Sequence, residues 1–369
     1  AITRDTGSDM NQYGKIIRTF IHEAASASVA VEHLLKQIQP DLFYVNNGRT
    51  AITNAAVHAA QKSGVTLKSF DKDNFHEYLL MEGSHVADLP FAHTQIRRAK
   101  AQMESDPSGK EIAARWFEDN RHGNKGLLFN YLERQVAGTL PEGWNPKKRN
   151  IVIFGSSDDE YFGTECLDNP YFRNSSEAVG YIVNHLKDPS LHFYFRAHPN
   201  LSGLNNLQNS EMKKLKSPLL TILPPESVVD SYRLIEACEK VVTFGSTIGI
   251  EATFWGKPSV HLGRSFYESM GVVYNATCRE EVLELIAKQL PALPKENTLA
   301  YGYWVKTRGR SFQFVEPQIP NIRNVSLCKG MELQASGWIR QIQSLYGRLR
   351  GRLRSLYSVC YNVRVRRTS

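Results

Sequence analysis

Apolar positions along residues 12–37 recur at three- and four-residue spacing and predict a helix. The run IQPDLFYVNNGR then closes on Asn-Asn-Gly, the pattern of a strand followed by a loop. A second helix is predicted over 50–63, a strand at VTLKSF, and mostly helical structure over 94–136. Strand, helix and strand in that order make a β-α-β unit, so the amino-terminal region reads as part of a parallel-sheet domain. GTLPEGWNPKK (138–148), rich in Gly, Pro and Lys, reads as a linker.

Beyond the linker the alternation sharpens. Short apolar runs IVIFG (151–155), LHFYFR (191–196), LLTIL (219–223), VVTFG (241–245) and SVHLG (259–263) are separated by helical patterns near 176–187, 228–239 and 247–255. Runs apolar on both faces suit strands buried within a parallel sheet. In such a doubly wound α/β domain ligands lie outside the carboxyl ends of the strands, so the loops after these runs are the places to look for chemistry.

At 369 residues the chain is long enough for two domains, at roughly 100–200 residues each. We expect an amino-terminal domain over 1–145, truncated or irregular because it opens on polar sequence and a long helix rather than a strand, a ligand-binding domain over 146–300, and carboxyl-terminal helices over 301–369. Composition is that of a globular protein, with 41% hydrophobic and 22% charged residues. No run approaches the roughly 18 apolar residues of a membrane span, and AITRDTGSDM lacks the layout of a signal peptide. Five widely spaced cysteines without a CxxC argue against a disulfide framework or a zinc site, and a reducing cytoplasm is the expectation.

The net charge of +8 is uneven. Residues 331–369 hold eight arginines and one acid, Glu332, leaving 37 basic and 36 acidic groups in the remainder. The body is therefore close to neutral, which speaks against a nucleic-acid groove. Within the tail, Trp338, Ile342, Leu345, Leu349, Leu353, Leu356 and Cys360 fall on one helical face amid Arg348, Arg350, Arg352 and Arg354. Two readings compete over 331–345, a helix packed on the body and an amphipathic membrane-surface helix; over 346–369 the arginines favour an anionic membrane.

Candidate chemistry collects in four loops. Gly245-Ser246-Thr247-Ile248-Gly249-Ile250-Glu251 follows a buried strand and opens a helix, where free N–H groups and hydroxyls suit a phosphate and Glu251 suits a ribose hydroxyl. Ser and Thr also cap helices with no ligand involved. Arg196-Ala197-His198-Pro199 supplies a guanidinium fork and an imidazole, and Glu226-Ser227 follows the third strand. Neither G-x-G-x-x-G nor the P-loop pattern is present, which disfavours a dinucleotide enzyme or a P-loop NTPase. The fourth loop, Gly155-Ser156-Ser157-Asp158-Asp159-Glu160, sets three carboxylates where the others invite an anion; this makes sense for a nucleophile or base beside a sugar carbon, and equally for a solvated helix start.

Over about 150–265, from IVIFGSSDDEYFG through FRAHPN to PPESVVDSYRLIEACEKVVTFGSTIGIEATFWGKPSV, the chain resembles the nucleotide-binding half of GT-B glycosyltransferases of capsule and lipopolysaccharide synthesis. YVNNGRTAITNAAVHAAQKSG is similar to their acceptor half more loosely. Among them it looks most like the retaining β-Kdo transferases. That resemblance implies two Rossmann-like doubly wound domains about a central cleft, CMP-Kdo as donor, no metal, and a covalent aspartyl intermediate. Carried over by position, Asp159 is the expected nucleophile, with Asp158 and Glu160 as alternates. Arg196 and His198 would meet the phosphate or the Kdo carboxylate; Gly245, Ser246, Thr247, Gly249 and Glu251 would hold phosphate and ribose, and Glu226 and Ser227 would lie near the nucleotide. Glu82, in LLMEGS, is nominated as the acid/base, and Arg49 as an acceptor-side residue. The implied partners are CMP-Kdo, a lipid-linked oligosaccharide or glycan acceptor for O-antigen or capsule synthesis, and the anionic inner face of a bacterial inner membrane through residues 338–367, with no nucleic acid.

Four rivals remain at this point. Asp71-Lys72-Asp73 is a D-x-D, the pattern that holds a divalent metal in GT-A enzymes. GT-B-like nucleotide-sugar 2-epimerases share a similar donor loop and turn over donor without acceptor; a transferase using another nucleotide sugar, such as CMP-sialic acid, keeps the whole pattern. A non-catalytic module of a larger glycan-assembly enzyme would bind nucleotide without turnover.

Overall fold

A computed structural model describes residues 10–73, 77–82, 85, 87–123, 132–161, 167, 169–311, 315–317 and 325–327. Residues 1–310 form one compact unit and 311–369 a second. In the second unit, Val315–Pro317 and Val325–Leu327 pair as an antiparallel ribbon. The arginine-rich segment 338–367 lies outside the described residues.

The first unit begins with helix α1 (Met10–Ile38), strand β1 (Leu42–Asn46), helix α2 (Ala51–Lys62) and strand β2 (Thr66–Lys72). The Thr50 side chain accepts from the Thr53 backbone N–H while the Thr53 hydroxyl answers the Thr50 N–H, a capping box that fixes where α2 starts. β1 and β2 are parallel, and Leu35, Val45, Val57, Ala60 and Leu67 close a small core under α1 and α2. The next strand, β3 (Glu77–Glu82), turns back antiparallel on β2. Only four residues separate the two strands, too few for the crossover that a parallel neighbour needs. The amino-terminal sheet is therefore small and mixed, with β1 and β2 parallel and β3 antiparallel.

Helices α3 (Leu89–Ser105) and α4 (Gly109–Arg121) follow, with Asp88 capping α3 through the Phe91 N–H. Among the described residues, the stretch expected to be mostly helical over 94–136 holds these two helices, and 132–134 is turn.

The second sheet has six parallel strands: β4 (Arg149–Phe154), β5 (Leu191–Arg196), β6 (Leu220–Leu223), β7 (Lys240–Thr243), β8 (Ser259–His261) and β9 (Tyr274–Asn275). Their spatial order, β6-β5-β4-β7-β8-β9, is that of a doubly wound nucleotide-binding fold. Helices α5 (Asp158–Tyr161), α6 (Ser175–His185), α7 (Leu207–Lys214), α8 (Ser231–Ala237) and α9 (Ile248–Phe254) intervene, and α10 (Arg279–Ala287) follows β9. Alternation along β4 shows why both sheet faces are covered: Ile151 and Ile153 join a core with α6 and α10, while Val152 and Phe154 join another with α8.

Helix α11 (Glu296–Thr307) then runs back to the amino-terminal helices and packs against α3 and α4. A boundary at 300 falls inside this helix. Its return builds a shared core of Ala92, Ile96, Phe117, Ile250, Phe254, Tyr301 and Trp304, in which Phe117 stacks on Phe254 at 4.0 Å between ring centroids. A Cβ at Gly302 would stand 2.4 Å from the Ala113 carbonyl oxygen, so only glycine lets the two helices approach this closely. Gly302→Ala should lower stability by roughly 1–3 kcal/mol, read from the urea midpoint, because overpacking here forces α11 off α4.

Candidate active site

A cleft of about 840 Å³ opens at the carboxyl ends of the second sheet's strands, and its opposite wall comes from β2, β3, α3 and α11. On the sheet side it is lined by Ser156, Glu160 and Tyr161 after β4, His198 after β5, Gly245, Ser246 and Thr247 after β7, and Arg264 to Tyr267 after β8. The strand order reverses between β4 and β7, and the loops leaving those two strands diverge to leave a crevice. Glu226 and Ser227 follow β6, at the edge of the sheet, and do not line the cleft. Glu226 accepts instead from the Gly203 N–H at 3.3 Å.

Gly245 sits at φ +116°, where a side chain is strained, and a Cβ there would meet the Arg264 carbonyl at 2.6 Å and Tyr161 at 3.1 Å. Its backbone therefore presses between two walls of the cleft. Thr247 begins α9 with helical backbone angles and makes no capping bond, so its hydroxyl is not spent on the helix. Tyr267 donates its hydroxyl to the Ser246 carbonyl and locks the loop from below. Gly249 lies beneath, where a Cβ would meet the Tyr267 oxygen at 2.6 Å; its small size serves packing, and it does not line the cleft.

Glu251 departs from the sequence expectation. It is fully buried on the far side of α9, accepts the Tyr232 hydroxyl, and its second oxygen has no hydrogen-bond partner among the described residues. One turn into a seven-residue helix rotates this side chain into the core rather than toward a ribose.

Arg196 is also buried, at 4% exposure, and lies outside the cleft lining. It donates to the Ser227 carbonyl at 3.4 Å; burial pulls its pKa down to about 10, with Asp230 opposing, so it stays charged and braces the loop after β6. His198, two residues on, does reach the cleft. Its Nδ1 accepts from the Asn200 N–H at 3.2 Å, so the neutral ring carries its proton on Nε2.

The acidic loop splits three ways. Glu160 lines the cleft, accepts from Asn200 Nδ2 at 2.6 Å through its carboxylate, and receives Arg49 on its backbone carbonyl. Asp159 accepts the Ser157 hydroxyl, and Asp158 points down among buried polar groups; neither is in the cleft lining. Arg49 stands in the cleft as an element of the opposite wall, delivered by a turn in which Asn47 and Gly48 take left-handed angles. Glu82 does not reach it: that side chain is 70% exposed and pairs with Lys68 at 3.4 Å on the surface of the small sheet.

The D-x-D pattern is divided. Asp71 accepts from Asn47 Nδ2 at 2.5 Å and Asp73 pairs with Arg308 at 2.9 Å. Among the described residues no three His, Cys, Asp or Glu side chains are grouped as a metal would require. The cleft itself is cationic, with Arg49, Lys72, Arg98, Arg264, Arg308 and Arg310 facing Asp71 and Glu160. Arg264 is held by a bidentate pair to Glu268 at 2.7–3.0 Å; burial tends to raise that carboxyl, but Arg264 and the Ser265 N–H override it and leave it below its ordinary value.

Several lining residues were not singled out from sequence. Gln95, Arg98 and Gln102 are polar positions on α3 at spacings that share one face with Phe91, a signal that helical periodicity contains. Arg264 and Tyr267 follow the last core strand closely in RSFYES, and Tyr301 and Trp304 enter only because α11 folds back.

Residues 187–293, from the approach to β5 to the end of α10, match the family model described as capsule polysaccharide biosynthesis protein. No curated protein matches. Among solved structures, the chain is similar to a β-Kdo 2,7 transferase of Thermosulfurimonas dismutans KpsC, at 16% identity and a TM-score of 0.45, covering 86% of this chain and 89% of that one. It is similar to the β-Kdo 2,4 transferase of the same protein at 12% identity and a TM-score of 0.45, covering 71% and 78%. It is also similar to a UDP-GlcNAc 2-epimerase of Methanocaldococcus jannaschii at 14% identity and a TM-score of 0.32, covering 75% and 79%.

Because the Glu251 carboxyl is sealed with Tyr232 as its hydrogen-bond partner, Tyr232→Phe should cost about 2–4 kcal/mol in urea unfolding. Adding Glu251→Leu should recover most of that loss.

Proposed function

We propose that the protein is a glycosyltransferase of capsule or lipopolysaccharide synthesis that moves Kdo from CMP-Kdo to a glycan, with retention of configuration and without a metal. The observation that carries this is the cleft itself: a cationic crevice at the strand-order reversal, with a glycine-hydroxyl loop on one side and one carboxylate, Glu160, beside it. The family-model match over 187–293 spans this loop and supports a role in capsule polysaccharide synthesis. The choice of CMP-Kdo rests on the sequence resemblance.

In this reading Ser246, Thr247 and His198 meet the phosphate of the donor, and Arg49 or Arg264 meets the sugar carboxylate. A carboxylate of the acidic loop attacks the anomeric carbon as the bond to the phosphate oxygen breaks and CMP leaves; an acceptor hydroxyl then displaces the carboxylate, giving up its proton, and two inversions restore the configuration. Glu160 and Asp159 are the two candidates, Glu160 because it faces the cleft and Asp159 because the resemblance implies it. The acceptor approaches along the wall formed by Phe91, Gln95, Arg98 and Trp304.

Intact mass after incubation with CMP-Kdo and EDTA, with CMP release followed in parallel, tests this. The wild type should gain one Kdo residue, and one of Glu160→Gln and Asp159→Asn should fail to form the adduct and lose at least about 10³-fold in turnover. No adduct and no CMP release overturns the donor. CMP release without an acceptor that ends in an isomerised sugar points to epimerisation, and release only with an added divalent ion overturns metal independence.

We further propose that residues 338–367 hold the protein at an anionic membrane on the cytoplasmic side. The chain should co-sediment with vesicles containing phosphatidylglycerol and not with neutral ones, the binding should weaken in high salt, and deletion of 346–369 should abolish it.

A further inference from the structure

Below the acidic loop lies a buried polar cluster that the proposed chemistry does not use. Asp158 opens α5, the four-residue helix that ends in the cleft-lining pair Glu160 and Tyr161. Its backbone N–H donates to Gln208 Oε1 at 3.1 Å, and Gln208, 5% exposed on α7, donates in turn to the Ser156 carbonyl at 2.7 Å and toward the Ser175 hydroxyl at 3.4 Å. Gln208 thus clamps both ends of the turn that carries Asp158.

The carboxyl is placed where a charge is poorly tolerated. Its Oδ2 is buried with no hydrogen-bond partner among the described residues. The groups that act on its charge are neighbouring acids and the Ser175 backbone N–H. From α5 come Asp159, Glu160 and Tyr161; from α7, Glu211, whose carboxylate is held by Asn174 Nδ2 at 2.7 Å; from α6, the neutral Ser175 and Ser176. An ionised acid there has the Ser175 N–H as a donor but nothing on the described residues for Oδ2, so burial and the neighbouring acids favour the protonated form.

We infer that Asp158 is a positioning residue, a half-buried acid that, in its protonated form, seats α5 so that Glu160 and Tyr161 face the cleft. The same surroundings lift its pKa from the ordinary carboxylate value to about 7, through burial first and then Glu211 and Asp159, with the Ser175 N–H opposing. The acid is thus charged above neutral pH, where a further negative charge beside Asp159 and Glu211 drives α5 out of its seat. The sign for stability follows. Between about pH 4 and 7 the unfolded chain ionises this group and the folded chain does not, so stability is lost progressively and the loss is complete above pH 7.

The assignment rests on the proposed function only for its activity readout, so two measurements are paired. Melting temperature and CMP-Kdo turnover are followed from pH 5 to 8.5 in the wild type, Asp158→Asn and Asp158→Ala. Asp158→Asn should melt above the wild type by a margin that widens from pH 5 to 8. Wild-type turnover should fall about tenfold or more between pH 6 and 8.5, and Asp158→Asn should hold its rate across that range. Asp158→Ala, which empties the seat, should be slow at every pH. A melting difference independent of pH overturns the inference, as does an Asp158→Asn rate as low as that of Asp158→Ala. If CMP-Kdo is not turned over at all, that failure belongs to the functional reading, and the melting series alone decides.

Discussion

The closure of α11 on α3 and α4 is the contact on which the cleft depends. Gly302 lets the helix backbones approach, and Phe117 stacked on Phe254 joins the amino-terminal helices to α9, the helix that follows the Ser246-Thr247 loop. Without this core the small mixed sheet and the six-stranded sheet would have no common frame. Burial of aromatic rings is non-directional in its driving force, but close packing makes it specific, since a core at crystal-like density accepts only the arrangement that fills it. The positions of Arg49, Arg98 and Arg264 relative to one another are therefore set by apolar contacts at some distance from them.

Inside that frame the buried titratable side chains named above turn toward structure and are braced by a hydrogen-bond partner there. Arg196 braces the loop after β6, Glu251 takes the Tyr232 hydroxyl, and Arg264 is oriented by Glu268. Pre-pairing keeps guanidinium groups in place before a ligand arrives, which lowers the ordering cost of binding an anion. His198 shows the same economy of roles, since one ring nitrogen shapes the turn and the other is left as the protonated one.

The large second sheet was legible from sequence because its strands are short apolar runs buried on both faces, and each of the five runs read that way is a strand. The loops that carry Glu160, His198 and Ser246 were legible for the same reason: a strand's carboxyl end identifies the loop. What sequence could not supply was rotation and distance. Glu251 sits one turn into α9 and Arg196 at the last residue of β5, and in both cases the side chain turns inward by a fraction of a helical turn or one pleat. Glu82 was read beside a cleft because LLMEGS ends an element, yet β3 pairs antiparallel to β2 and leaves that carboxylate on the outer surface. The α11 contribution was invisible for a different reason: its residues are distant in sequence and come to the cleft only through packing.

The three adjacent acids of the β4 loop show most clearly how identical chemistry acquires different roles. A four-residue helix spaces its side chains about 100° apart, so consecutive acids cannot share an environment. Asp158 has its Oδ2 shielded without a hydrogen-bond partner among the described residues, Asp159 is taken up by Ser157, and Glu160 emerges beside Arg49, Asn200 and the glycine-hydroxyl loop. Repulsion among them favours this division, since neighbouring carboxylates in low dielectric resist ionising together. The member whose Oδ2 is shielded is only partly ionised near neutral pH, which lowers the negative potential at the cleft floor, where an anionic donor would have to approach. A loop that looks from its composition like a poor place for an anion is thereby made compatible with one.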